Sequence, residues 1–146
     1  MRRPIAAYLR RLHQRTATTF VPTRALARDL GRNGYHGLEV IGRGVDTELF
    51  NPGHRCAALR AGWGADDGTL AVMYVGRIAP EKNMALLFRA FAAIARGQPR
   101  ARLVLVGDGP SLPELRRNHP EHVYAGMRTG VDLARHYASG DIFRFP

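Results

Sequence analysis

The sequence predicts an α/β fold in which a parallel sheet carries helices on its faces. Three observations lead there. Leu70-Ala71-Val72-Met73-Tyr74-Val75 and Leu103-Val104-Leu105-Val106 are short, nearly continuous apolar runs, as expected of strands buried on both faces. Each run ends on a glycine turn, Gly76-Arg77 and Gly107-Asp108-Gly109-Pro110. Between and beyond them, apolar residues recur at helical spacing, so strand and helix patterns alternate as βαβαβαβ.

The elements follow in order. Ile5, Tyr8, Leu9 and Leu12 mark an amphipathic helix over about residues 4–14. Thr18-Thr19-Phe20-Val21 reads as a short strand stopped by Pro22. Thr23 is placed to cap a helix carrying Leu26 and Leu30, which ends near Gly31 to Gly34. Leu38 to Ile41 is a further short strand, and residues 42–68, rich in Gly, Pro, Asp and Asn, read as loop with one helix at Cys56 to Ala61. After the first apolar run, Met84, Leu87, Phe88, Phe91 and Ile94 form one helical face beginning near Lys82 and Asn83, and Gly97 with Pro99 stops it. Ser111 and Glu114 have capping-box spacing for a short helix. Val123 to Ala125 is the next strand, Thr129 and Asp132 open a helix with Leu133 and Tyr137, and Asp141 to Phe145 is the last strand. Such a sheet is Rossmann-like.

Composition bounds the function classes. With 146 residues, 45% hydrophobic and 23% charged, the chain is ordinary for a globular domain. It has no apolar run long enough to span a membrane. The N-terminus begins like a signal peptide but lacks the long apolar stretch of one. The single cysteine, Cys56, excludes an internal disulfide and fits a reducing cytoplasm. It has no motif around it and reads as a small buried hydrophobe. A net charge of +10 admits a polyanionic partner, yet the basic residues are spread along the chain, so much of the charge reads as a solvated arginine surface.

Lys82 is the only lysine among 22 Lys and Arg residues, and it stands five positions after Arg77. Arginine serves wherever a cation suffices; a lone lysine marks a place for a compact, flexible ammonium. In open α/β sheets ligands bind beyond the carboxyl ends of the strands. There the glycines allow close approach to the backbone, and a helix start near Lys82 and Asn83 offers N–H groups to an anion. This arrangement suits a diphosphate. The bland reading is two ordinary β–α turns with surface cations. Gly107-Asp108-Gly109 is not a dinucleotide fingerprint, because Leu112 stands where the third glycine would be. No P-loop or nucleophile elbow is present. His119-Pro120-Glu121-His122 has metal-like spacing but lies in a turn and lacks other ligands, so no metal site is expected there.

Five blocks in order resemble the family-4 retaining glycosyltransferases of GT-B fold, over about residues 18–146. They are Gly44-Val45-Asp46-Thr47-Glu48-Leu49-Phe50-Asn51-Pro52; Tyr74-Val75-Gly76-Arg77 with Glu81-Lys82-Asn83; Leu105-Val106-Gly107-Asp108-Gly109-Pro110; Ala125-Gly126-Met127; and Tyr137 to Pro146. The resemblance implies a donor site for a nucleotide-diphosphate sugar, UDP- or GDP-linked. In it, Gly76, Arg77, Lys82 and Asn83 hold the diphosphate, and Gly107, Asp108, Gly109, Pro110, Gly126 and Met127 shape the nucleotide pocket. Arg77 and Lys82 would be the catalytic cations, neutralising the leaving diphosphate. No cofactor or metal is implied. The acceptor, a lipid or a saccharide, is not specified, and no nucleic-acid partner is expected. The location would be cytoplasmic, with peripheral contact at the inner membrane face open.

The departures shape the domain reading. Residues 1–43 match only the end of the family's N-terminal acceptor domain. Residues 44–146 match its C-terminal donor domain, stopping before the family's paired glutamates, with Arg144 where an apolar strand residue is usual. The expectation is therefore an incomplete GT-B C-terminal domain, inactive by itself and exposing apolar surface. The alternatives are a basic module binding nucleic acid or anionic membrane, and a truncated product without activity.

Overall fold

A computed structural model describes residues 3–42 and 44–143. Arg144 and Phe145, which the sequence places in the last strand, and Pro146, which ends the block from Tyr137, lie outside the described residues. The chain divides into two compact units, Met1–Val45 and Asp46–Pro146.

The first unit contains α1 (Arg3–His13), β1 (Thr19–Val21), α2 (Arg24–Arg32) and β2 (Leu38–Val40), with β1 and β2 paired in parallel. The Thr23 hydroxyl accepts from the Leu26 N–H at 3.1 Å, so the expected cap starts α2. Two bonds tie α1 to the end of α2: the Arg10 guanidinium donates to the Asn33 carbonyl at 3.2 Å, and the Gln14 amide to the Gly34 carbonyl at 3.0 Å. Ile5, Tyr8, Leu9 and Leu12 are all exposed.

The second unit is a four-stranded parallel sheet, ordered β5-β4-β3-β6. Its strands are β3 (Ala71–Val75), β4 (Arg102–Val106), β5 (Val123–Gly126) and β6 (Ile142–Phe143). Its helices are α3 (Ala57–Gly62), α4 (Met84–Gly97), α5 (Leu112–Asn118) and α6 (Gly130–Ser139). The period of two along a strand explains the two apolar layers. Val72, Tyr74, Leu103 and Leu105 pack with Met84, Leu87 and Phe91 of α4. Ala71, Met73, Val104 and Val106 pack on the opposite face with Trp63, Ala65, Leu59 of α3 and Leu133 of α6. The central strands are thus covered on both sides, as their unbroken apolar runs require. Ile142 and Phe143 of β6, by contrast, are each 39% exposed. No described helix is long and apolar enough to cross a membrane.

The helix after β3 opens where the sequence places it: Pro80–Lys82 form a 3₁₀ turn, and Asn83, left-handed at φ 45°, caps α4 at Met84. One local expectation is corrected. The Ser111–Glu114 capping box does not form, because Ser111 is itself in the helical region and its side chain makes no cap bond. Its backbone is engaged elsewhere, with the Ser111 N–H donating to the Ile78 carbonyl at 3.1 Å. α6 begins as expected, with Thr129 as its N-cap residue and Asp132 in its first turn; the Thr129 side chain makes no cap bond, and Asp132 pairs with Arg128 at 3.0 Å.

A buried arginine organises the β6 edge. Arg60 of α3, 2% exposed, donates to the carbonyls of Ser139, Asp66 and Thr69 and to Asp141 Oδ2 at 2.7–2.9 Å. Its Nε is buried and has no hydrogen-bond partner among the described residues. Asp141 Oδ2 also accepts from the Ala71 N–H at 2.8 Å, so this one carboxylate joins the start of β3 to the entry of β6.

Candidate functional site

The carboxyl ends of β3 and β4 continue past the sheet as two turns laid side by side. Gly76 N–H donates to the Val106 carbonyl and Ile78 N–H to the Asp108 carbonyl, both at 2.9 Å, and Gly107 N–H donates to the Gly126 carbonyl at 2.8 Å. This ladder explains the glycines. A Cβ on Gly107 would overlap the Gly76 carbonyl oxygen, and one on Gly109 would overlap that of Ile78. Both positions also have positive φ, 138° and 157°. The sequence reading assigned these glycines to close ligand approach. The structure shows that turn-against-turn packing already demands them.

An open cleft of about 660 Å³ lies over these turns, lined by Val75, Gly76, Arg77, Val106, Gly107, Asp108, Gly109, Met127, Arg128 and Leu133. Its floor is backbone and apolar side chain; its charges are Arg77, Arg128 and Asp108. The Arg77 guanidinium is directed to Glu81 at 3.3 Å, and both side chains are largely exposed, so this pair is weak and readily exchanged for another anion. The Arg77 backbone is fixed more firmly: buried Tyr74 donates its hydroxyl to the Arg77 carbonyl at 2.7 Å. Burial, and then the Glu81 charge, raise the Tyr74 pKa and keep that hydroxyl protonated. Asp108 turns its carboxylate back to the Gly109 N–H at 2.7 Å. On the far rim, Arg128 is held by the Ala125 carbonyl at 2.9 Å and by Asp132 at 3.0 Å.

Of the residues singled out from sequence, Gly76, Arg77, Gly107, Asp108, Gly109 and Met127 line this cleft. Gly126 supports it from below through its carbonyl. Pro110, Lys82 and Asn83 do not line it. Lys82 ends the 3₁₀ turn, and among the described residues it makes no ion pair. The Asn83 side chain is occupied with capping α4, accepting from the Leu86 N–H at 3.3 Å. Arg128 was not read from the sequence as a site residue. The available signal was its position two residues after Gly126, with Asp132 one helical turn later.

Residues 69–146 match the family model described as glycosyl transferases group 1. The chain is 38% identical to a GDP-mannose-dependent alpha-mannosyltransferase of Mycobacterium tuberculosis, over 94% of this chain and 35% of that protein. It is 33% identical to a protein of the same description from Corynebacterium glutamicum, over 95% of this chain and 32% of that one. It is 34% identical to the sulfoquinovosyl transferase SQD2 of Arabidopsis thaliana, over 99% of this chain and 29% of that one. The chain thus spans about a third of the length of these relatives. Among solved structures, Anabaena HepE in complex with UDP superposes with a TM-score of 0.74 at 19% identity, covering 98% of this chain and 42% of that one. The fold is that of the GT-B enzymes, and the matched segment contains both glycine turns, the cleft and the cations at its rim: the chain belongs to the group 1 glycosyl transferases.

Proposed function

We propose that residues 44–146 form the nucleotide-sugar-binding part of a family-4 retaining glycosyltransferase, with residues 1–43 from its acceptor domain. The observation that carries this reading is the pair of interlocked glycine turns at the carboxyl ends of β3 and β4, which floor an open cleft with Arg77 at its edge. The donor diphosphate lies on that floor. Arg77 exchanges Glu81 for a phosphate oxygen, and Lys82, which ends the 3₁₀ turn outside the cleft lining and makes no ion pair among the described residues, swings its flexible side chain toward the diphosphate as the second cation. As the bond from sugar to diphosphate breaks, negative charge grows on the leaving group, and both cations stabilise it. Gly107 to Pro110, Gly126 and Met127 bound the nucleotide. The donor is a nucleoside-diphosphate sugar, with GDP-mannose favoured over UDP-sugars because two mannosyltransferases match nearly the whole chain. The reaction takes place in the cytoplasm, where nucleotide sugars are supplied.

Amide chemical shifts during a titration with GDP and with UDP test the reading. Shifts should concentrate at Gly76, Arg77, Gly107, Gly109, Gly126 and Met127, and should persist at raised salt. Shifts scattered over the arginine surface, matched by polyphosphate and abolished by salt, would favour the polyanion module instead.

A further inference from the structure

β5 has two ends. Its carboxyl end, Gly126, supports the cleft; its amino end follows His122 directly. There His119, Glu121 and His122 bring one ligand atom each to within 4.8 Å of one another. The same carboxylate oxygen, Glu121 Oε1, lies 3.3 Å from His122 Nε2 and 3.7 Å from His119 Nδ1. Two ligands of one tetrahedral zinc, each at about 2.0–2.1 Å, stand roughly 3.3 Å apart. One pair is already at that spacing, and the others close on it by an ångström or so.

The imidazoles are held by packing. Phe88 stacks on His119 with centroids 4.1 Å apart and on His122 at 5.4 Å, and Phe91 meets His122 edge-on at 5.2 Å. The two imidazoles are nearly parallel, 11° between planes. Side-chain exposure rises from 10% at His122 to 36% at His119 and 60% at Glu121, so an ion has an apolar wall behind it and an open path from solvent.

We propose that His119, Glu121 and His122 form a binding site for a divalent transition-metal ion of the zinc class, at the end of the sheet opposite the cleft. Two imidazoles and one carboxylate suit zinc, nickel or copper and disfavour magnesium and calcium, which take oxygen ligands. Three protein ligands leave one position for water. Among the described residues no hydrogen bond is made to the remaining ring nitrogen of either histidine. Such partners are worth about 10–100-fold in affinity, so the site binds more weakly by that factor than one whose histidines are so supported. The ion bridges the end of α5 to the start of β5 and takes no part in sugar transfer.

Calorimetric titration of the chelator-treated chain with Zn²⁺, repeated with Co²⁺ followed by visible absorption, tests this. One ion per chain is expected, with a Co²⁺ spectrum of low coordination number and no competition from Mg²⁺. Glu121→Gln, at an exposed position, and His119→Gln, whose planar side chain keeps most of the contact with Phe88, should each weaken binding at least tenfold, and Arg77→Ala should leave it unchanged. Zn²⁺ uptake that Glu121→Gln and His119→Gln do not alter would assign it to other histidines and overturn the proposal, as would no uptake at all. Neither result bears on nucleotide binding.

Discussion

The Tyr74 hydroxyl is bonded to the Arg77 carbonyl at 2.7 Å, from a side chain in the core beside Leu105 and Leu87. The phenol ties the Gly76-Arg77 turn to the buried sheet. In Tyr74→Phe the ring remains and only the hydrogen bond is lost. Unfolding free energy should fall by about 0.5–1.5 kcal/mol, and any diphosphate affinity should fall with it, because the turn loses its tether. Denaturant titration beside ligand titration checks both. The pH dependence follows from the raised pKa. The folded state favours the protonated phenol, so its contribution is complete below the ordinary tyrosine value of 10.0 and is lost only as pH rises through the higher folded value. The wild-type protein should therefore lose this increment above pH 10, and Tyr74→Phe should not.

Gly107→Ala should be far more damaging than its size suggests. The added methyl meets the Gly76 carbonyl, and φ 138° is unfavourable for alanine. Strain of about 1–3 kcal/mol is expected from the backbone conformation alone, before any displacement of the neighbouring turn. Gly97→Ala is the control: nothing lies within 4 Å of its Cβ position, at the end of α4. There alanine should be neutral or stabilising by up to about 1 kcal/mol. Thermal melts of the two variants should move in opposite directions or differ by several degrees.

Acid sensitivity should centre on Asp141. Burial pushes its carboxyl pKa up, but the Ala71 N–H and the Arg55 and Arg60 guanidinium groups outweigh that and hold it below 3.8. A depressed carboxylate contributes stability that is complete above its unfolded pKa and declines as pH falls through the folded one. The loss should therefore begin near pH 4 and continue below it. Asp141→Asn should remove this acid limb. It should also cost about 3 kcal/mol at neutral pH by leaving Arg60 buried without its counter-ion. Urea unfolding at a series of pH values separates the two effects.

Leu87→Ala should destabilise by about 2–5 kcal/mol, since Leu87 is 1% exposed between α4 and the sheet. Chemical denaturation reads this directly.

What the sequence made legible was what local pattern encodes. The apolar runs at 70–75 and 103–106 announced buried central strands, and the Thr23 cap, the glycine turns and the break at Gly97 followed from residue type. Three things escaped it because they depend on groups far apart in the chain. The Arg60–Asp141 clasp joins residues 81 positions apart, and no local pattern marks Arg60 among the many arginines. The Ser111 cap failed because its backbone was engaged by Ile78 across the turn ladder. Arg128 reached the cleft only because β5 pairs beside β4. The place of Arg77 at the cleft edge was legible from its position after the first glycine turn; Glu81, named in the same block, was not read as its ion-pair partner.

On the proposed function, a nucleoside diphosphate lies in the cleft over the two glycine turns against Arg77, and Lys82 reaches it from the adjacent 3₁₀ turn. The most direct measurement is the affinity of the chain for GDP at fixed ionic strength, in Lys82→Ala against Arg28→Ala. Both variants remove one positive charge. Lys82→Ala should cost about 1.5–3 kcal/mol, the range for hydrogen bonds to charged groups, and Arg28→Ala almost nothing. Equal losses at the two positions would contradict the account, leaving general attraction to a chain of net charge +10.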